Sequence, residues 1–136
     1  MADKNNGLNK GEKTRILLLN TAERLFGQNG VTATSLREVM KEAGVNMAMI
    51  HYYFKNKEGL LDAILERRLV PINQARLNLL GQYSLNADGQ PLGMDDIIRA
   101  YVEPFIRLRD KADEGGADFL KLFAWLRMEP NFTYHQ

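Results

Sequence analysis

Apolar positions recur at intervals of three and four residues along most of this chain. The spacing is clear in the first segment, where Leu18, Ala22, Leu25 and Phe26 fall on one stripe. A stripe of this kind is typical of an amphipathic helix that buries one face. The alternation of apolar and polar residues that marks a strand is absent from the sequence. The pattern therefore predicts an all-α protein.

Glycine, proline and capping residues divide the pattern into six predicted helices. Gly30 and Gly44 are suited to end the first two, because glycine adopts positive φ without strain. Ser35 with Glu38 fits a capping box, and Asn46 is a typical N-cap residue. The predicted helices span residues 13–29, 34 or 35–43, 46–53, 57–80, 95–109 and 117–128, with a kink or split at Pro71 and a loop at 81–93.

Residues 34–57 have the layout of a helix-turn-helix, which is the most informative feature of the sequence. A capped helix is followed by a tight glycine turn, a short second helix and the start of a third. This arrangement presents its second helix to the major groove of DNA. Many helical hairpins share the spacing, so a helical protein-interaction module that does not bind DNA is the alternative.

Bulk properties are compatible with this prediction. The chain has 136 residues, no cysteine, a polar N-terminus unlike a signal peptide and no apolar run of membrane-spanning length. Residues 1–60 hold nine Lys/Arg against six Asp/Glu, whereas residues 61–136 hold nine against eleven. We expect a polyanion to contact the first half, although ordinary surface charge also accounts for the excess.

Five sequence elements within residues 14–65 together resemble the N-terminal domain of the tetracycline-repressor (TetR) family of bacterial transcription regulators. They are L-F-G-Q-N-G, T-A-T-S-L-R-E-V, E-A-G-V, I-H-Y-Y-F and K-x-x-L. The resemblance implies a three-helix DNA-binding domain joined by a fourth helix to a helical regulatory domain. It also implies a cytoplasmic homodimer that binds a palindromic operator and responds to a small-molecule effector. Repressor is the leading expectation and activator the alternative.

The expected domains are a flexible N-terminal arm at residues 1–12, the helix-turn-helix domain at 13–56, and the connecting helix with a partial regulatory domain at 57–136. The family's regulatory domain is longer, so the resemblance implies that this chain lacks its C-terminal part. A truncated protein, a natural short form and a clipped chain all remain open.

Candidate DNA contacts fall on the second and third predicted helices. Thr34 and Ser35 lie at a helix N-terminus, where free N–H groups and the dipole favour phosphate, or where both simply cap the helix. Arg37 lies on the outer side and is either a backbone contact or a solvated arginine. Asn46 can pair with adenine, and three neighbours, Met47, Ala48 and Met49, can contact thymine methyl groups.

Three further candidates follow from the resemblance. His51 stands where the family commonly has tyrosine, and we expect it to contact phosphate or base, with an ordinary surface residue as the alternative. Tyr52 and Lys57 resemble the family's backbone-contacting positions. Because the third helix carries no Arg or Lys, base readout is expected to depend on Asn46, apolar contacts and DNA shape. The sequence contains two histidines, His51 and His135, and no cluster of metal ligands, so no metal or other cofactor is predicted.

The last two predicted helices are rich in aromatic residues, which favour a core face over a ligand pocket. If a pocket exists between helices, the candidate ligand-binding residues are Arg99, Tyr101, Phe105 and Phe123. No catalytic motif occurs along the chain, and an enzyme is not predicted.

Overall fold

The computed structural model describes residues 7–110 and 115–129 of the chain. These residues form six helices and contain no strand, so the predicted all-α class is confirmed. No helix among them is long and apolar enough to cross a membrane. The helices are α1 (Lys10–Asn29), α2 (Leu36–Ala43), α3 (Met47–Phe54), α4 (Lys57–Asn86), α5 (Met94–Asp110) and α6 (Gly116–Met128).

The chain divides into two compact units. The first unit combines Met1–Ile64 with Asp118–Gln136, and the second unit is Leu65–Ala117. The boundary therefore falls inside α4, and nearly all of α6 belongs with the N-terminal helices. The domains expected from the sequence were drawn by function, with a boundary before residue 57, and they stay a prediction because the two units describe packing alone.

Helix α1 begins at Lys10, earlier than predicted. Its N-cap is Asn9, whose side-chain oxygen accepts the N–H of Glu12 at 2.8 Å, while the Glu12 carboxylate accepts the N–H of Asn9 at 3.1 Å. This capping box satisfies donors that the first turn of a helix leaves unpaired. Residues 10–12 of the expected arm are thus helical, and residues 1–6 lie outside the described part of the chain.

Helices α2 and α3 begin where their capping residues predicted. The Ser35 hydroxyl oxygen accepts the N–H of Glu38 at 3.1 Å, and Asn46 Oδ1 accepts the N–H of Met49 at 3.0 Å. Gly44 ends α2 at φ 69° and ψ 30°, in the left-handed region that favours glycine. The predicted caps and turn are therefore confirmed.

Helix α4 is longer than predicted. Asn56 caps it by accepting the N–H of Gly59 at 2.8 Å, and the helix then continues to Asn86. Pro71 does not split it, and the loop expected from Gly81 occupies only residues 87–93. An interior glycine costs a helix about 1 kcal/mol relative to alanine, which neighbouring turns can offset. The prediction gave Gly81 too much weight as a helix breaker.

The first unit closes its core around α1. Phe26 is completely buried, and the backbone of Gly27 lies so near α6 that an added Cβ would be 2.6 Å from the carbonyl oxygen of Asp118. The Trp125 indole N–H donates to the Gly27 carbonyl at 3.0 Å. Helix α6 is thereby fastened to α1. The other fully buried apolar side chains include Leu18, Leu19, Ala22, Val39, Ile50, Leu60, Leu61, Ile64, Phe119 and Leu122.

The second unit is held together by an arginine between α4 and α5. The Arg76 guanidinium carbon lies 3.9 Å from the Tyr101 ring centroid and 5.1 Å from that of Phe105. Its Nε donates to the Tyr101 carbonyl oxygen at 3.0 Å. A stacked and hydrogen-bonded guanidinium joins the two helices through both its face and its edge.

Candidate nucleic-acid interface

Hydrogen bonds hold the start of α2, the turn after it and the start of α3. After Gly44 turns the chain, the N–H of Val45 donates to the Met40 carbonyl at 3.2 Å. Ile50 and Phe54 then bury one side of α3, with exposures of 0% and 5%. The opposite side of α3 is left facing solvent, as a helix that enters a DNA groove requires.

The solvent-facing side of α3 carries no Arg or Lys and mixes apolar with uncharged polar side chains. Ala48, His51 and Tyr52 are exposed, whereas Met47 and Met49 are half-buried. Tyr52 is 79% exposed, and its ring stands edge-on to that of Tyr53 with centroids 4.9 Å apart. The structure thus brings the predicted base-reading residues together on one short helix.

Asn46 has part of its hydrogen-bonding capacity engaged by the helix cap. Oδ1 accepts the Met49 N–H at 3.0 Å, and the side-chain NH₂ group supplies donors. Bidentate pairing with adenine needs both a donor and an acceptor. Oδ1 has a second lone pair besides the one that accepts the Met49 N–H, so the expected pairing with adenine would share this oxygen between the base and the helix cap.

His51 is tied to the end of its own helix. Its Nδ1 lies 2.7 Å from the Lys55 carbonyl oxygen, and the Lys55 N–H donates to the His51 carbonyl at 3.1 Å. Lys55 itself adopts φ 68°, which is unusual for a residue with a side chain. The two hydrogen bonds fix both the corner between α3 and α4 and the orientation of the imidazole.

Thr34 does not face solvent, contrary to its prediction as a phosphate contact. Its side chain is completely buried, and its hydroxyl donates to the Gly30 carbonyl at 2.8 Å. The backbone N–H of Thr34 donates to the Val31 carbonyl at 3.2 Å. The sequence showed a hydroxyl near a helix start, but the chain folds it inward to satisfy the α1–α2 turn.

Ser35 and Arg37 stay on the outside of α2. Ser35 is exposed and serves as the N-cap, and Arg37 is exposed on the first turn. The first turn of a helix also offers free N–H groups to an anion. This end of α2 therefore combines a guanidinium with backbone donors.

Two lysines flank the start of α4. The predicted contact Lys57 is half-buried at the first position of the helix, while Lys55 is exposed. Lys55 was missing from the prediction. Its charge was visible in the sequence, but its place at the corner next to His51 depends on the unusual turn that ends α3.

The predicted ligand-binding residues fall into both units. Tyr101 and Phe105 come together around Arg76, and Arg99 is exposed on the same helix. Phe123 belongs to the first unit, where its ring centroid lies 6.1 Å from that of Phe119. Within residues 7–110 and 115–129, no three His, Cys, Asp or Glu side chains are grouped to hold a metal ion.

Comparisons with known proteins match the helix-turn-helix segment. Residues 18–64 match the family described as bacterial regulatory proteins, tetR family. The HTH-type transcriptional regulator AcrR of Shigella flexneri is 39% identical over 85 residues, which are 62% of this chain and 38% of that protein. The probable HTH-type transcriptional regulator YttP of Bacillus subtilis is 47% identical over 49 residues, which are 36% of this chain and 24% of that protein.

A solved structure extends the likeness beyond this segment. The SmeT–triclosan complex has a TM-score of 0.59 and 25% identity, and the match covers 91% of this chain and 54% of that one. The chain therefore spans well under two thirds of the length of these similar proteins. Residues 18–64, from within α1 to the first part of α4, thus match the tetR family of bacterial regulatory proteins, and the likeness to the SmeT structure extends over most of the chain.

Proposed function

We propose that this chain is a sequence-specific DNA-binding transcriptional regulator, a ligand-responsive repressor that acts on a palindromic operator as a homodimer in the cytoplasm. The observation that carries the proposal is the solvent-facing side of α3, held by capped turns within the segment that matches the family. The names of AcrR and YttP describe transcriptional regulators rather than enzymes, which favours this role.

In the proposed interface, α3 enters the major groove and its surroundings contact the phosphates. Arg37 and the first turn of α2 lie on one side, and Lys55 and Lys57 lie where α4 begins. Tyr52 is the exposed aromatic residue at this corner. Phosphate contacts of this kind set the position of a protein on DNA, while groove-facing residues distinguish sequences.

The second half of the proposal concerns regulation. Residues 13–56 form the DNA-binding domain, and residues 57–136, of which 111–114 and 130–136 lie outside the described part, supply α4 and part of the effector-binding and dimerisation region. SmeT is described in complex with triclosan, a small molecule, which supports a small-molecule effector for this chain. An effector would release DNA only if it binds one of two conformations more tightly than the other.

Selection from a pool of random duplex DNA at two salt concentrations tests the proposal. A palindromic motif bound in a strongly salt-dependent way is the expected result, because each neutralised phosphate releases counterions. A motif limited to one half-site would contradict dimer binding by this chain and leave DNA recognition intact. Failure to bind any duplex at low salt would overturn the proposal.

A matched pair of lysine variants sharpens this test. Lys57→Ala should weaken binding to all duplexes alike and reduce the slope of log affinity against log salt by about 1. Lys121→Ala removes the same charge from the exposed side of α6, outside the proposed interface, and should leave affinity and slope unchanged. Equal effects of the two substitutions would mean that only overall charge matters.

A further inference from the structure

The hydrogen bond of His51 determines which ring nitrogen carries the proton. The Lys55 carbonyl oxygen, 2.7 Å from Nδ1, has lone pairs but no hydrogen to donate. Nδ1 must therefore carry the hydrogen of this bond. In the neutral imidazole the other nitrogen, Nε2, then has a lone pair and acts as an acceptor.

Nε2 is placed to use that lone pair outside the protein. His51 is exposed on α3, and no group in the described part of the chain hydrogen-bonds to Nε2. The return bond from the Lys55 N–H to the His51 carbonyl holds the corner against which the ring is anchored. The imidazole is thus a fixed acceptor at the surface.

A fixed acceptor argues against the expected contact with phosphate. Phosphate oxygens are acceptors and need a donor, but the one hydrogen of the neutral ring is directed to Lys55. In the major groove, the exocyclic amino groups of adenine and cytosine are donors that suit Nε2, whereas guanine presents N7 and O6, which are acceptors.

The neighbours of His51 distinguish between adenine and cytosine. Met47 and Ala48 precede it by four and three residues, so all three lie on one side of α3. Their apolar atoms suit the thymine methyl group, which a G·C pair lacks. No Arg or Lys occurs within α3 to donate a charged hydrogen bond to guanine.

We propose that His51, with Met47 and Ala48, selects an A·T base pair in each half-site, Nε2 accepting from the adenine amino group and the apolar pair contacting thymine methyl groups. This specificity rests on the proposed function, since it assumes that α3 lies in the major groove.

The tautomer can be tested on the free protein. The chain contains two histidines, so nitrogen–proton correlation NMR in alkaline buffer, with His51→Phe to assign the signals, can resolve His51. The expected spectrum shows hydrogen on Nδ1 and an unprotonated Nε2. A spectrum with hydrogen on Nε2 would overturn the inference whether or not the protein binds DNA.

The base contact is tested with DNA analogues, which leave the protein's fold untouched. In the selected operator, purine replaces adenine to delete the amino group, and uracil replaces thymine to delete the methyl group. We expect purine at one position per half-site to weaken binding by wild type about three- to tenfold, the usual range for one hydrogen bond. The affinity of the His51→Phe variant should fall by less than about twofold on the same replacement, since phenylalanine has no ring nitrogen to accept from the adenine amino group.

The outcomes separate this inference from the proposed function. A palindromic motif with equal analogue losses for wild type and His51→Phe, or with guanine opposite His51, would overturn the A·T assignment alone. Salt-dependent binding without base preference would overturn it too, while leaving DNA binding in place. Absence of binding to any duplex would overturn the proposed function, and the inference with it.

Discussion

The two units of this chain differ in how completely they cover their own apolar side chains. In the first unit, α1 is surrounded closely enough that several large residues have no exposed surface, Phe26 and Phe119 among them. In the second unit, α5 leaves a continuous apolar face in contact with solvent. Its exposed members are Met94, Ile97, Ile98, Tyr101, Val102 and Ile106.

The difference teaches that similar amphipathic patterns produce different packing when the number of neighbouring helices differs. Helix α1 packs within a unit that also contains α2, α3, the start of α4 and α6. Helix α5 shares its unit mainly with the second part of α4, and one neighbour covers only one side of a helix. Burial of apolar area contributes about 25 cal/mol per Å². We therefore expect the first unit to be the more stable one.

The largest effect should come from opening the first core. Phe26→Ala removes a fully buried ring from the first unit and should cost about 3–5 kcal/mol of unfolding free energy. Ile98→Ala, at a side chain that is 53% exposed in the second unit, should change stability by no more than about 0.5 kcal/mol. Urea unfolding followed by circular dichroism measures both.

Trp125, the one tryptophan of the chain, adds a probe that reports on the first unit. In wild type we expect its fluorescence transition at higher urea than the loss of helical signal from the second unit. Coincident transitions, together with equal losses of unfolding free energy in Phe26→Ala and Ile98→Ala, would contradict the expected difference in stability between the units.

An intermediate effect is expected at the contact between α1 and α6. Gly27→Ala places a methyl group 2.6 Å from the Asp118 carbonyl oxygen, a backbone atom that cannot rotate away. Overpacking of this kind costs about 1–3 kcal/mol. Gly81→Ala meets nothing within 4 Å in α4 and should instead stabilise the helix by about 1 kcal/mol. Differential scanning calorimetry should show melting temperatures that move in opposite directions, and a shared direction would mean that α6 does not approach α1 this closely.

The smallest effect should come from the ion pair between α1 and α2. Arg24 Nη2 lies 3.0 Å from Glu42 Oε1, but both side chains are substantially exposed. Exposed pairs contribute about 0.2–1 kcal/mol because water and salt screen them. A double-mutant cycle with Arg24→Ala and Glu42→Ala in urea should give a coupling energy in this range, decreasing as salt is added. A coupling energy independent of salt would indicate that the pair is shielded from water.

Much of the fold followed from short-range signals. The Ser35–Glu38 capping box, the Gly44 turn and the Asn46 cap all lie within a few residues of the helix ends they define. The apolar stripe of α1 likewise identified Leu18, Ala22, Leu25 and Phe26 as core. The candidate interface was predicted for the same reason, because its residues are nearly contiguous on α2 and α3.

The errors arose where local signals compete. Gly81 was expected to end α4, but an isolated glycine is a weak breaker inside a long helix. The Asn9–Glu12 box was overlooked because it lies in a polar segment without apolar periodicity. Both signals were present in the sequence and were given the wrong weight.

The sequence by itself determined the all-α class, the caps of α2 and α3 and the resemblance to the tetR family, since contacts three or four residues apart are set by local spacing. Only the tertiary structure decided that Thr34 is completely buried and that Trp125 bonds to Gly27 across 98 positions. These outcomes depend on which surfaces pack together and which carbonyl groups are left needing a donor. That requirement is created by the folded chain as a whole, so no local pattern of residues contains it.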